Sequence, residues 1–271
     1  MAELPGAFFH ADGPNRFVPT ELARGPWDPN ALHGGPPAAL LACAADAFDA
    51  PAPMTVRRMT IDLLRPVPLA PLEISTHVVR TGKRVQVVDL TLTSNGTEVC
   101  RASALRVALV PDLAIDVPQP DDRLPPPDDC DAGSMPFEGR RELVGFGDAM
   151  ELRSVHGSFL EAGPAAYWFR MKVPLVEGEP TPPIARLMVA ADCGNGISNV
   201  FGPEQYVFIN PDLDVHLHRL PQGEWVGLDA TTWMQAGAGS YADGALYDER
   251  GRIGRSVQAL YVGEGAGPQR G

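Results

Sequence analysis

The sequence repeats itself at an interval of 154 residues. The segment LLRPVP around Arg65 is matched by HLHRLP around Arg219, and GTEVCRAS is matched by GRIGRSVQ, which aligns Arg101 with Arg255. Self-similarity of this kind indicates that one structural unit occurs twice in the chain of 271 residues. Two such units can pair edge to edge, so we expect one continuous sheet made from two related halves.

Each half is predicted to contain one apolar helix and a set of antiparallel strands. The first helix carries Pro36 and Pro37 in its first turn, where proline is tolerated, and is apolar nearly all round, so it should be buried. The dipeptide Asn95-Gly96 is a strong hairpin signal. The predicted elements are a helix over 36–48, strands over 54–64, 72–80, 84–94, 98–109, 149–158 and 164–175, a helix over 184–193, and strands over 205–219, 224–233, 239–248 and 252–262.

This order of elements predicts an α+β fold of the double-hotdog kind. Two antiparallel sheets are each expected to wrap around a long apolar helix, and together they would form a continuous pseudo-dimer. The predicted domains are an N-terminal hotdog over 1–110 and a C-terminal hotdog over 137–262. The stretch 111–136 between them is rich in Pro and Asp and is expected to be a surface linker. Residues 263–271 are expected to form a flexible tail.

The charge and the cysteines limit the functional classes. A formal charge of −12 argues against a nucleic-acid binder, which needs clustered Lys and Arg. No apolar run is long enough for a membrane span, and the N-terminus does not read as a signal peptide. None of the four cysteines lies in a Cys-x-x-Cys pair, so we expect reduced thiols, no metal site and a cytoplasmic location. Exposed sheet edges make a homo-oligomer such as a dimer plausible.

Several segments in this order resemble the acyl-CoA thioesterase II family of double-hotdog thioesterases. They are ALHGGPPAALLACAADAF, IDLLRPVP, VVRTGKRVQVVDLTLTSNGTEVCRAS, HLHRLPQGEWVGLDA and DERGRIGRSVQ. The resemblance covers most of the chain except the 111–136 linker and the tail. It implies hydrolysis of an acyl-CoA partner to free acid and coenzyme A, without a cofactor.

The same resemblance implies three catalytic residues. The family's Asp falls on Asp192 and its Gln on Gln258, while the position of its Thr is taken by Asn210. Thioester hydrolysis needs an activated water and a stabilised oxyanion. Asp192 is expected to accept the proton of the water, and Asn210 and Gln258 are expected to orient that water or the carboxylate.

Two further groups are predicted to contact the substrate. The run His33-Gly34-Gly35 precedes the first helix, where glycines let a thioester approach the backbone closely. Backbone N–H groups at this point could bind the oxyanion, whereas Pro36 and Pro37 offer none. Around the turn Thr81-Gly82, the basic side chains of Arg80, Lys83 and Arg84 could steer the phosphates of coenzyme A.

Two other functions remain open at this level. A double-hotdog dehydratase or hydratase could pair His33 with Asp192 from the other half. The Gly-Asp-x-Asn-Pro run usual in hydratases is absent, which argues against a hydratase. A dehydratase would be expected to have Gln or His four residues after Asp192, but this position is Gly196. The third reading is a non-catalytic acyl-binding protein, which the presence of Asn210 at the threonine position keeps open.

Overall fold

The computed structural model describes residues 4–111, 113, 115, 117, 120–135, 143–201 and 206–264. Within these residues the chain forms fourteen strands, three α-helices and three short 3-10 helices. In order, the strands and α-helices are β1 (Phe9–Ala11), β2 (Arg16–Pro19), α1 (Gly35–Asp46), β3 (Met54–Leu63), β4 (Leu72–Arg80), β5 (Val85–Ser94), β6 (Thr97–Ala108), β7 (Asp131–Gly133), β8 (Met150–His156), β9 (Ala165–Met171), α2 (Pro183–Ala191), α3 (Gly194–Ile197), β10 (Tyr206–Ile209), β11 (Asp212–Leu217), β12 (Val226–Gln235), β13 (Gly239–Asp248) and β14 (Gly251–Glu264).

The strands form one antiparallel sheet that runs through both halves of the chain. Its order is β1-β2-β4-β5-β6-β3-β11-β14-β13-β12-β9-β8-β7, with β10 paired to β14 beside this path. The halves meet where β3 pairs with β11. Sheet hydrogen bonds therefore continue across the junction, and the edge of each half is covered by the other half.

The strand register repeats at the interval found in the sequence. At the junction Thr60 faces Asp214, and these two residues are themselves 154 positions apart. Farther out, Asp62 faces Arg101 in the first half, and the equivalent His216 faces Arg255 in the second. The interval of 154 residues is thus confirmed strand by strand. A pseudo-twofold axis passes through the pair of β3 and β11.

The two longer helices lie in the core and contact each other. α1 has 12 residues and contacts strands β3 to β6, while α2 has 9 residues and contacts β9 and β12. A methyl group on Gly35 would lie 2.9 Å from the carbonyl oxygen of Val189, so glycine allows the start of α1 to approach α2. None of the helices in the described ranges has the length and apolar character that a membrane crossing requires.

The second helix and the strand after it are shorter than the sequence predicted. The helix expected over 184–193 ends at Ala191, and Asp192 is its C-cap residue. The strand expected over 205–219 is divided into β10 and β11 by Asn210-Pro211. Proline has no N–H for the ladder and restricts the residue before it. Residue 205 lies outside the described part of the chain.

Two other segments differ from the sequence-based expectation. The N-terminal strands β1 and β2 were not predicted, although Phe8 and Phe9 are fully buried. Part of the expected surface linker packs against the second half, where Leu124 contacts a cluster of Trp168, Trp225 and Tyr247. This segment also includes a 3-10 helix and β7. The expected tail overlaps the end of β14, and residues 265–271 lie outside the described ones.

Buried thiols make the fold sensitive to alkaline conditions. Burial raises the pKa of both Cys43 and Cys100 from 9.0 to about 12. The unfolded chain therefore releases these protons first, so the stabilisation is complete below pH 9 and is lost as the pH rises toward 12. We expect the free energy of unfolding to fall in this range by about 1.4 kcal/mol per pH unit for each thiol. Urea unfolding at several pH values measures it, and Cys100→Ala should reduce the slope more than Cys130→Ala.

Candidate active site

Three residues that are far apart in the sequence meet at the end of α2. The amide nitrogen of Asn210 donates to Oδ1 of Asp192 at 2.8 Å. Nε2 of Gln258 lies 3.3 Å from the same oxygen. Asn210 comes from the break between β10 and β11, and Gln258 comes from β14. The structure therefore brings together the three residues that the sequence singled out.

The carboxylate of Asp192 is buried, with only 4% of its side chain exposed. Burial of a carboxylate is costly unless hydrogen bonds compensate for the lost water. Its Oδ1 receives two amide donors, and its Oδ2 lies 3.0 Å from Nδ1 of His33. A carboxylate offers about four lone-pair positions. One position on Oδ2 therefore remains for another donor.

Gln258 is engaged at both ends of its amide. Besides the carboxylate, Nε2 donates to the backbone carbonyl of Asp192 at 3.1 Å, and Oε1 accepts from the backbone N–H of Asn195 at 3.1 Å. A methyl group on Gly194 would lie 2.9 Å from Oε1, so glycine lets this side chain reach the helix end. Gln258 is 1% exposed and does not line the cavity described below. It is therefore placed to orient the carboxylate and not to contact a ligand in the cavity.

Asn210 has a different position. Pro211 follows it, and the carbonyl of Pro211 accepts from the backbone N–H of Leu63 at 2.7 Å, which holds this break against the end of β3. The side chain of Asn210 lines the cavity. Its carbonyl oxygen has no hydrogen-bond donor among the described residues. An amide at this position can hold the carboxylate with one atom and accept from a water with the other.

The first half supplies the opposite wall of the site. The ring of His33 stacks on Phe146, with the ring centroids 3.8 Å apart and the planes at 5°. Nδ1 of His33 also lies 3.1 Å from the backbone N–H of Gly35. A methyl group on Gly34 would lie 2.8 and 2.9 Å from the two carboxylate oxygens of Asp192. His33 and Gly34 thus pack directly on this carboxylate, whereas Gly35 contacts α2.

A cavity of about 540 Å³ opens onto these groups. His33, Gly34, Asp192 and Asn210 lie in its wall, and the rest of the lining is mainly apolar. The apolar side chains come from the loop before α1, the end of β3 and the loop after it, the segment 143–148, the loop between β8 and β9, and β10. Among them are Leu32, Leu63, Leu64, Val67, Phe146, Phe159, Val207, Phe208 and Ile209. Such a cavity suits an elongated ligand with one polar reacting group.

Arg24 and Arg65 both line this cavity, but only Arg24 is held by hydrogen bonds to described residues. Arg24 is held by the carbonyl oxygens of Pro29, at 2.8 Å, and of Val144. Arg65 is exposed and has no hydrogen bond or ion pair with any residue in the described ranges. Arg65 was not among the residues predicted to form the site.

The repeat explains why Arg65 is unpaired. Its equivalent in the second half, Arg219, forms a two-pronged ion pair with the buried carboxylate of Asp248. The residue 154 positions before Asp248 is Ser94, which donates to the carbonyl of Pro71 instead. The first half therefore keeps the arginine without its carboxylate. The alignment of the two halves places Ser94 at the position equivalent to Asp248, so the missing carboxylate can be found from the sequence alone.

The basic hairpin predicted to bind phosphates does not reach the cavity. Arg80, Lys83 and Arg84 are exposed at the turn between β4 and β5 and do not line it. The cavity-lining residues Leu63 and Leu64 lie beside the opposite ends of these strands, because Leu63 pairs with Cys100 near the start of β6. A strand of nine residues is about 30 Å long. The geometry gives no support to contact between this hairpin and a ligand in the cavity.

The thiols near Asp192 are unsuited to nucleophilic catalysis. Burial, followed by the charge of Asp192, raises the pKa of Cys100 to about 12. The same two causes raise the pKa of Cys193 well above its ordinary value. Both thiols are therefore protonated near neutral pH and are poor nucleophiles. No group of three His, Cys, Asp or Glu side chains in the described ranges could hold a metal ion.

Solved structures share this architecture. An acyl-CoA thioesterase II from Mycobacterium marinum is 14% identical, with a TM-score of 0.63 and coverage of 96% of both chains. A TesB protein from Mycobacterium avium subspecies paratuberculosis is 17% identical, with a TM-score of 0.62 over 94% of this chain and 96% of that one. A hotdog-fold protein of unknown function from Alicyclobacillus acidocaldarius is 19% identical, with a TM-score of 0.71 over 94% and 95%. These similarities establish the hotdog fold.

Family models identify the class of enzyme. The model of the acyl-CoA thioesterase N-terminal domain matches residues 23–107, and that of the C-terminal domain matches residues 127–262. A search of curated proteins found no match. The fold and the two matched domains define a thioesterase, an enzyme that hydrolyses thioesters. The chain belongs to the acyl-CoA thioesterase family.

The contact between Gly34 and Asp192 can be tested by adding one methyl group. The backbone of Gly34, with φ −65° and ψ −26°, suits alanine, so Gly34→Ala introduces no backbone strain. The new methyl group would displace the carboxylate, and displacement of a reacting group by about 1 Å can lower kcat on the order of 100-fold. Steady-state hydrolysis of an acyl-CoA measures this. Gly239→Ala is the matched control, because nothing lies within 4 Å of its methyl position. Equal kcat values for the two variants would contradict the assignment.

Proposed function

We propose that this thioesterase hydrolyses acyl-CoA to free acid and coenzyme A, with Asp192 as the general base. The observation that carries the proposal is a buried carboxylate, held by amide donors on one oxygen and by His33 on the other, in the wall of a largely apolar cavity. Donors on Oδ1 fix the direction of Oδ2. A water bound at the remaining position on Oδ2 can therefore be aimed at a thioester in the cavity.

The proposed reaction has two steps, addition of water and loss of the thiolate. Asp192 accepts a proton while the water oxygen adds to the thioester carbon, which gives a tetrahedral intermediate with a negative oxygen. When this intermediate collapses, the carbon–sulfur bond breaks and the sulfur of coenzyme A leaves with the electron pair. Asp192 returns the proton to that sulfur. Asn210 accepts a hydrogen bond from the water through its free carbonyl oxygen, so it replaces threonine in an orienting role.

The start of α1 supplies the donor for the oxyanion. Pro36 and Pro37 have no N–H, and the N–H of Gly34 has no acceptor among the described residues. Gly34 also lines the cavity beside the carboxylate. The positive end of the helix dipole adds to this stabilisation. The N–H of Gly34 is therefore the proposed oxyanion donor.

His33 orients the base. Its Nδ1 cannot donate to Asp192 and accept from Gly35 at the same time. A hydrogen bond to an ionised carboxylate is roughly twice as strong as a neutral one, which favours the tautomer with the proton on Nδ1. In this state His33 holds Oδ2 of Asp192 and keeps its own position by stacking on Phe146.

The active enzyme is proposed to be a pseudo-dimer within one chain. The hotdog units over 1–110 and 137–262 would each wrap their part of the sheet around α1 or α2, and the site lies where the units meet. Residues 111–136 connect them, although the ordered part of this connection packs on the second unit. The four free thiols support a reducing compartment, and we place the enzyme in the cytoplasm. We also propose that two copies of this chain form a homodimer.

Replacing Asp192 separates hydrolysis from the alternatives. Asp192→Asn keeps the size of the side chain and removes its ability to accept a proton. We expect kcat for release of free thiol from acyl-CoA to fall by about 100-fold or more, the scale of a general base. Gln258→Ala should cost less, because Gln258 contacts the base and the neighbouring backbone and does not line the cavity. Thermal unfolding checks that the variants remain folded.

Three outcomes would contradict this mechanism. Wild-type hydrolysis by Asp192→Asn would show that another group is the base. Binding of acyl-CoA without release of thiol by the wild type would favour the acyl-binding reading. Conversion of an enoyl-CoA by the wild type would favour the hydratase reading, which would use the same pair of His33 and Asp192.

Arg65 is the proposed contact for a phosphate of coenzyme A. It is the cavity arginine without a described partner, and guanidinium groups match phosphate geometry. Arg65→Ala should raise KM for acyl-CoA about tenfold, the loss of about 1.4 kcal/mol of binding, with little change in kcat. The combined replacement of Arg80, Lys83 and Arg84 by alanine is the matched control and should leave KM unchanged. An increase in KM for the control alone would place the phosphates at that hairpin.

A further inference from the structure

A row of basic side chains crosses the junction on the outer face of the sheet. Arg58 on β3 pairs with His216 on β11, and His216 pairs with Arg255 on β14. Directly paired residues on neighbouring strands project from the same face about 5 Å apart. The neighbours Met59 and Val215 point inward and are buried. The row therefore lies on the face opposite to the helices.

An irregularity in β3 adds another cation to this row. The register shifts between Val56 and Arg58, so that Arg57 is an extra residue without its own partner on β6. Such a bulge lets two successive side chains project to one side. Arg57 donates to the backbone carbonyl of His218 from this position. Two adjacent arginines thus reach the same outer surface.

These side chains line a shallow groove of about 450 Å³. Its lining consists of Arg57, Arg58, Leu105, His216, Leu217, His218, Arg252, Gly254 and Arg255, so no carboxylate is among the described residues that form it. Arg252 and Arg255 each contact one carboxylate at the side, on Asp122 and Asp243. Burial, and then the charges of Arg219 and Arg57, lower the pKa of His218.

Arg58 and Arg57 are the arginines of the groove that have no carboxylate partner among the described residues. Nε of Arg58 is buried and has no hydrogen-bond partner in the described part of the chain. Arg57 contacts only a neutral carbonyl oxygen. Two guanidinium groups with free donors, placed side by side, match an anion that has several oxygen atoms.

The surface that the pseudo-twofold axis relates to this groove is acidic. The positions related by 154 residues to Arg58 and His216 are Asp212 and Asp62, which also pair with each other. Only Arg101, the equivalent of Arg255, keeps its charge. Arg101 is paired with Glu98. The two ends of one duplicated surface have therefore diverged to opposite charge, in a protein whose net charge is −12.

We propose that the groove around Arg57 and Arg58 is a second binding site, for an anion that carries two or more phosphate groups. The site is distinct from the cavity at Asp192, because it lies on the opposite face of the sheet. His216 lies six positions after Asn210 along extended chain, which corresponds to about 20 Å. The proposal does not depend on the proposed hydrolysis. The ligand could be a free nucleoside diphosphate or the diphosphate portion of a second coenzyme A molecule.

Calorimetric titration with inorganic pyrophosphate tests the site directly. We expect one molecule to bind per chain, and we expect the affinity to fall at least tenfold in the double variant Arg57→Gln, Arg58→Gln. Arg101→Gln is the matched control, because it removes an arginine from the equivalent acidic end and should leave the affinity unchanged. Asp192→Asn should also bind pyrophosphate as the wild type does, which separates this result from the outcome of the hydrolysis experiments. Affinity should fall with rising salt concentration.

The competing explanations give different results. Absence of binding at millimolar pyrophosphate, or equal affinity of the wild type and the double variant with an unchanged unfolding midpoint, would overturn the proposal. If the double variant instead converts a dimer to a monomer in sedimentation, and pyrophosphate does not bind, the groove contacts the acidic row of a second copy and the proposal is wrong. ADP and coenzyme A are then compared as competitors at the same concentration. If both displace pyrophosphate, the natural ligand is a free nucleotide. Displacement by coenzyme A alone assigns it to the coenzyme.

Discussion

The pairing of β3 with β11 is the interaction on which the rest of the structure depends. Each half of the chain ends its sheet at a strand with unpaired backbone groups, and pairing these two edges satisfies both. Because Thr60 faces Asp214, the register superimposes the two repeats about one axis. This junction brings the start of α1 against the end of α2. A site that needs Gly34 from one half and Asp192 from the other can exist only while this pairing is intact.

The carboxylate of Asp192 shows how the junction is used chemically. Its desolvation is unfavourable, and three donors from three separate segments compensate for it. The donors among the described residues leave one acceptor position on Oδ2, and Asp192 lines the cavity. Asn210, at the position where the resemblance expects threonine, donates to the carboxylate, because its amide nitrogen reaches Oδ1 at 2.8 Å. The amide has separate donor and acceptor atoms, whereas a hydroxyl group donates and accepts through the same oxygen.

Duplication gave this protein pairs of equivalent positions whose roles have diverged. Arg219 stabilises the second half through buried Asp248, whereas Arg65 has lost that partner and lines the cavity. Asp62 and Asp212 form the acidic end of the outer face, and their equivalents His216 and Arg58 form the basic end. In each pair the backbone position is kept by the sheet register. The arginine pair differs only in its partners, whereas the acidic and basic pairs differ in the side chains themselves.

The sequence by itself determined the duplication, the positions of both apolar helices and most strands, because these depend on local periodicity, turn residues and the interval of 154. The resemblance to the acyl-CoA thioesterase II family selected Asp192, Asn210 and Gln258 as candidate site residues. Only the tertiary structure decided that Arg65 reaches the cavity and that Arg80 does not, since strand direction sets which end of the sheet a hairpin occupies. The contact of His33 with Oδ2 and the engagement of both ends of Gln258 likewise depend on distances between segments more than 60 residues apart, which no local pattern encodes.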